Sequence, residues 1–153
     1  MSFKLRTEVD DWFSRIYKAK DSPLSTKFDY YYLCLMMGFS RGKATPVTNA
    51  VEFVQNFVLD YRSVQSQIIG LLIATEARAL GIELTNRARI KDLLSRYVSP
   101  EASVALTPKG FERLNDYANG GFNAIVASYP EEQPWIASDF MQWYQRAISA
   151  PVS

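Results

Sequence analysis

"KFDYYYLCLMMGFSRGK", residues 27–43, is the stretch on which the fold turns. On a helix successive residues rotate by about 100°. Tyr30, Tyr31 and Tyr32 then cannot share one face, and Leu33, Cys34, Leu35, Met36 and Met37 complete the circle. A helix that is apolar all round lies either at the centre of a bundle or beneath another chain. Periodicity alone does not separate a short apolar run from a buried strand, so the helical spacing of the flanking segments decides for the helix. Plain core packing is the simpler outcome. If another chain covers the segment, Tyr30, Tyr31 and Tyr32 are its candidate contacts.

Working outward, Leu5, Val9, Trp12, Phe13, Ile16 and Tyr17 recur at steps of three and four, which predicts an amphipathic helix ending near Lys20 and broken by Asp21, Ser22 and Pro23. After Thr45-Pro46, Val51, Val54, Phe57, Val58 and Tyr61 mark a second stripe. Val64, Ile68, Leu71, Leu72 and Ala79 mark a third, with Gly81 at the expected C-terminal glycine position. Thr85 is the expected cap of a helix carrying Ile90, Leu93, Leu94 and Tyr97, stopped by Ser99-Pro100. Thr107-Pro108 is a stronger start, because proline at the first helical position loses no hydrogen bond. It opens a short helix closed by Gly120, followed by another over Phe122–Tyr129. Pro130 and Pro134 frame an acidic loop, and Ser138 caps a final helix with Phe140, Trp143 or Tyr144, and Ile148 turned inward. The predicted fold is a single all-α domain over residues 1–153, a compact helical bundle of six to eight helices. Its C-terminal half resembles a helix-turn-helix.

At 17.4 kDa and 48% apolar residues the chain is long enough to bury one continuous core. Nine Phe, nine Tyr and three Trp are a rich endowment. Because aromatic rings also favour interfaces, the expectation is that some of them, with Trp135 and Trp143 joining the three tyrosines as candidates, are covered by another macromolecule. A chain without histidine and with one cysteine cannot build a Cys/His zinc site, a Ser-His-Asp triad or a Cys-His pair by itself. No catalytic residue and no metal ligand is assigned, and no cofactor is expected. Scattered carboxylates (Asp10, Asp11, Asp29, Glu76) fall in no paired-glutamate, DxD or ExxH pattern. The lone thiol and the acidic, tryptophan-containing start, which does not read as a secretion signal, point to the cytoplasm. The longest aliphatic run, Ile68–Ala74, is far short of a membrane span, which needs about 20 residues.

Net charge is +1, so any attraction to nucleic acid must be local. Residues 61–113 carry eight Lys/Arg against five Asp/Glu, whereas 114–153 carry one against four, so the middle is basic and the tail acidic. Gly38, Arg41, Gly42 and Lys43 are expected to form a flexible basic turn, but "GFSRGKAT" lacks the GxxxxGK[ST] spacing of a phosphate loop. In "NRARIKDLLSR", Arg87 and Lys91 fall on one flank of the apolar stripe and Arg89 and Arg96 on the other. They border a buried stripe or, with Lys109 and Arg113 of the next helix, touch phosphates.

"FDYYYLCLMMGFSRG", then "LTPKGFERLNDYANGGFNAIV", and finally "FMQWYQRAI" resemble the small helical proteins of bacterial anti-phage and anti-plasmid defence operons. The resemblance is nearest to the small subunit of Lamassu-type (Ddm) systems, whose larger components are an SMC-like ATPase and a nuclease. It covers about half of the chain, rests on packing patterns and carries over no catalytic residue. It implies a non-catalytic structural or regulatory subunit bound to a larger protein, with DNA and a second copy of the chain as further candidate partners. The alternative is an autonomous helical DNA-binding regulator working through Arg87, Arg89, Lys91 and Arg96.

Overall fold

The computed structural model describes residues 2–20 and 22–150, so the predicted break at Asp21 lies outside the described residues. The apolar stretch is indeed a helix, α2 (Lys27–Arg41), and it is central. Asp29 fixes its start: Oδ2 accepts the backbone amides of Ser25 and Thr26, each at 2.8 Å, and Oδ1 accepts the Tyr61 hydroxyl at 2.6 Å. Burial works against the Asp29 charge, yet these donors hold its pKa below the ordinary aspartate value. Of the predicted flexible turn, Gly38 and Arg41 lie inside the helix, and Gly42 (φ +63°) and Lys43 leave it as its left-handed cap and exit.

The most extensive contact in the molecule is between α2 and α5 (Pro108–Ser128). As the sequence predicts, Thr107 caps α5, its Oγ1 accepting the Gly110 amide at 3.0 Å, and Pro108 follows. Gly120 does not end the helix. It runs unbroken through Gly120-Gly121, so the two expected short helices are one. The glycines serve close approach: a Cβ on Gly121 would strike the Cys34 carbonyl, and one on Gly38 the Tyr117 carbonyl. Cys34, wholly enclosed at this crossing, has its thiol pKa pushed far up by burial, against a smaller opposing pull from Arg6.

The fold is not purely α-helical. Residues 3–6 and 50–54, both read as helix from their spacing, form an antiparallel two-stranded sheet of β1 (Phe3–Arg6) and β2 (Ala50–Val54), with Leu5 opposite Val51. In β1 Phe3 and Leu5 point inward while Lys4 and Arg6 point outward, the two-residue alternation of a half-buried strand. Phe3 then stands among the rings of Phe28, Tyr31, Phe57 and Phe111, at centroid distances of 4.8–5.3 Å. The other edge of β1 is closed by a side chain: Asn115 of α5 accepts the Lys4 amide (3.0 Å) and donates to the Ser2 carbonyl (3.0 Å), as a neighbouring strand would. Its Oδ1 also accepts the Tyr31 hydroxyl at 2.8 Å. One turn on, Asn119 donates to the carbonyls of Thr45 and Pro46, and Asn123 accepts from Arg6 at 2.7 Å. Asn115→Ala is expected to cost about 2 kcal/mol, because it strands several buried polar groups at once; a shifted urea midpoint would register it.

α1 (Thr7–Phe13) is shorter than predicted. A 3-10 helix (Leu59–Val64) leads into α3 (Gln65–Ala79), and α4 (Arg87–Tyr97) and α6 (Ala137–Ser149) complete six α-helices among the described residues. Gly81 ends α3 as predicted, with φ +69° and the Ile82 amide bonded back to the Ala77 carbonyl. The cap of α4 is Asn86, one residue after the predicted Thr85. The helix-turn-helix likeness does not hold: residues 98–107 separate α4 from α5, whereas such a motif turns in about 3–4 residues, and α5 is sunk in the core. Among the described residues no helix is long and apolar enough to cross a membrane.

Candidate partner interface

A buried carboxylate sets the position of α4. Glu76 on α3 is 4% exposed. Its Oε1 accepts from Arg113 Nε (2.5 Å) and the Tyr97 hydroxyl (3.0 Å), and its Oε2 from Arg113 Nη2 (3.0 Å) and the Tyr117 hydroxyl (2.8 Å). Three helices meet on one charge. Burial alone would raise the Glu76 pKa, but Arg113, then Tyr117 and Tyr97, hold it below the ordinary value. In turn the Glu76 carboxylate raises the Arg113 pKa, and burial with the Glu76 charge raises those of Tyr97 and Tyr117. Each oxygen already receives two donors, so the cluster reads as a joint that holds α4 and not as a poised proton acceptor.

Held there by buried Leu93 and Tyr97, α4 turns much of its surface outward. Leu84 is 66% exposed and Leu94 41%, and both line a shallow groove of about 580 Å³ with Arg87, Ala88, Ile90 and Lys91. A second groove, of about 220 Å³, runs along the other flank between Leu80, Ile82, Arg89 and Arg96. The sequence-derived division of the four cations between two flanks thus matches the two grooves. Arg87, Arg89 and Lys91 have no ion-pair partner among the described residues. Arg96 lies over its neighbour Tyr97, 5.9 Å from the ring centroid.

The other cations proposed for phosphate contact are dispersed. Arg41 Nη2 donates to the Ala147 carbonyl at 2.7 Å, near the end of α6, and Lys43 is exposed beyond α2. Lys109 pairs with Glu112 at 3.6 Å, and Arg113 is committed to Glu76. Of these four, Lys109 stands at the start of α5, which abuts the end of α4 where Thr107 Oγ1 donates to the Arg96 carbonyl at 2.6 Å.

Most of the tyrosine expectation is corrected. Tyr31 is fully enclosed, and Tyr30 is buried in a 5.0 Å stack on Phe13 with its hydroxyl on Asp10, so neither presents a docking surface. Tyr32 is half-buried against Tyr61, and Trp143 is half-buried against Tyr129. Only Trp135 among the five is largely exposed, with the Arg15 guanidinium 3.4 Å over its ring. The interior absorbs the aromatic residues that composition suggested were in surplus, because they cluster edge to face around Phe3 and Trp12. What remains outside is mainly aliphatic: Leu59, Leu71, Leu80, Leu84 and Leu94.

Sequence reading did not single out Leu84 and Leu80, which flank the α3–α4 turn and carry no helical period of their own. It also missed Asn115, Asn119 and Asn123, whose four-residue spacing was a usable signal of one polar face on a buried helix. Among the described residues no group of three or more Cys, Asp or Glu side chains is placed to hold a metal ion. The chain has no match among protein-family models, curated proteins or solved structures.

Proposed function

We propose that the protein is a non-catalytic structural or regulatory subunit that docks on a larger protein through the outer face of α4. The carrying observation is the exposed surface made by Leu84, in the turn before α4, and Leu94 on it, beside Arg87 and Lys91, which have no ion-pair partner among the described residues; the helix is anchored to the body by Leu93, Tyr97 and Glu76. Fully burying one leucine is worth about 1.5–3 kcal/mol, so covering this stripe supplies a meaningful share of a binding energy. A rigidly mounted helix also loses little freedom on docking. The defence assembly, with its SMC-like ATPase and nuclease, is the setting that the sequence resemblance supplies.

Direct DNA binding is the second reading, supported by the same cations. The two differ in salt response: DNA contact weakens steeply with salt, by roughly one logarithmic unit of affinity per logarithmic unit of salt for each phosphate neutralised. For the subunit reading, the tagged chain is expressed together with the genes that flank it. Leu84→Glu with Leu94→Glu is expected to abolish co-purification of the flanking gene products while changing stability by no more than about 0.5 kcal/mol. Retained co-purification with an unchanged melting curve would remove α4 as the docking face.

A further inference from the structure

What covers α4 can be narrowed by chemistry, and the inference rests on reading that face as the docking surface. We propose that its occupant is an acidic amphipathic helix of the partner protein, lying in the groove between Leu84 and Leu94. Ile90 and Leu94 supply apolar contact, Ala88 leaves room for a backbone to come close, and Arg87 and Lys91 stand one turn apart on the same flank. That spacing matches two carboxylates four residues apart on an opposing helix, with leucine-type anchors at i, i+3 or i+4 and i+7 on the adjoining face. The groove follows α4 from its cap to Leu94, roughly two turns, which is the reach of such an anchor set.

Charge decides between this occupant and the others. Duplex DNA would satisfy Arg87 and Lys91 but leave Leu84 and Leu94 in water. A second copy docked symmetrically through this face would bring the Arg87/Lys91 pair of one copy to the same surface as that of the other, which like-charge repulsion opposes. An acidic helix meets both the cations and the leucines.

The test uses the full chain and fluorescence anisotropy with two labelled peptide probes. One is a helix-forming peptide of glutamates with leucines at i, i+3, i+4 and i+7; the other carries lysine at every glutamate position. The acidic probe is expected to bind, more weakly as salt rises, and the lysine probe to bind at least about tenfold more weakly. Leu84→Glu should lower acidic-probe affinity by about tenfold or more, and Arg87→Glu with Lys91→Glu should reverse the preference between probes. Thermal melts of these surface variants show whether each remains folded. Equal binding of both probes, or no binding of the acidic one, overturns the acidic-helix inference even where Leu84→Glu still abolishes co-purification, in which case the docking face itself stands. Tighter binding of a duplex DNA or of anionic vesicles, dependent on Arg87 and Lys91 but not on Leu84, also overturns it.

Discussion

Glu76→Leu is expected to destabilise the protein by about 3–5 kcal/mol, the largest effect of any single substitution considered. It leaves the Arg113 guanidinium partly buried without its counter-ion and strips two tyrosine hydroxyls of their acceptor. Glu76→Leu combined with Arg113→Leu should recover the part of the loss that lies in the stranded charge, while the Tyr97 and Tyr117 hydroxyls stay without their acceptor. Urea unfolding of the two single variants and the double variant measures this directly; a double variant as unstable as Glu76→Leu would contradict it. The same group gives a pH dependence of definite sign. Its folded pKa lies below the ordinary 4.5, so the unfolded chain binds the proton more readily. The contribution of Glu76 is therefore complete above about pH 4.5 and is lost as pH falls through its folded value. Asp29 acts in the same direction. Asp116, whose pKa burial raises, acts in the opposite one, so the wild-type acid response should be compared with that of the Glu76→Leu variant.

The second large effect is steric. Gly121→Ala is expected to cost about 3 kcal/mol or more, because the added methyl meets the Cys34 carbonyl and lies close to the Gly38 amide. Overpacking against side chains typically costs about 1–3 kcal/mol, since rotamers can yield. Here the obstacle is the backbone of α2, so the helices must separate along their principal contact. Gly70→Ala supplies the control: its added methyl meets nothing within 4 Å, and it should be neutral or stabilising by up to about 1 kcal/mol. A Gly121→Ala variant that melts with the wild type would show that α2 and α5 are not packed this closely.

Features fixed by a few adjacent residues were legible in the sequence. Thr107-Pro108 opens a helix and Gly81 closes one by local backbone chemistry. The centrality of residues 27–41 follows from an apolar circumference. Distant partners were harder. Phe3-Lys4-Leu5-Arg6 alternates, but four residues also fit the start of a helical stripe, and the strand that pairs with it begins at Ala50. Gly120-Gly121 reads as a stop by the same local rule that succeeds at Gly81, and only the arrival of α2 shows that the missing side chains make room for a neighbour. The α4 surface was half legible: the four cations and their two flanks followed from spacing, whereas Leu94 was read as part of the buried stripe and Leu84 was passed over, because periodicity does not say whether a partner for an apolar residue lies within the chain. The aromatic residues failed in the opposite direction, since a count of rings cannot register how many can pack on one another.

The edge of β1 held by Asn115 has a consequence for biogenesis. The Lys4–Asn115 hydrogen bond spans 111 positions of sequence, so β1, which is synthesised before α5, waits for that helix before its place in the core can close. Long-range closure of this kind slows folding and lengthens the time for which apolar segments stay uncovered. Phe3, whose ring packs on Phe28, Tyr31, Phe57 and Phe111, therefore stays uncovered until Phe111 of α5 has been made.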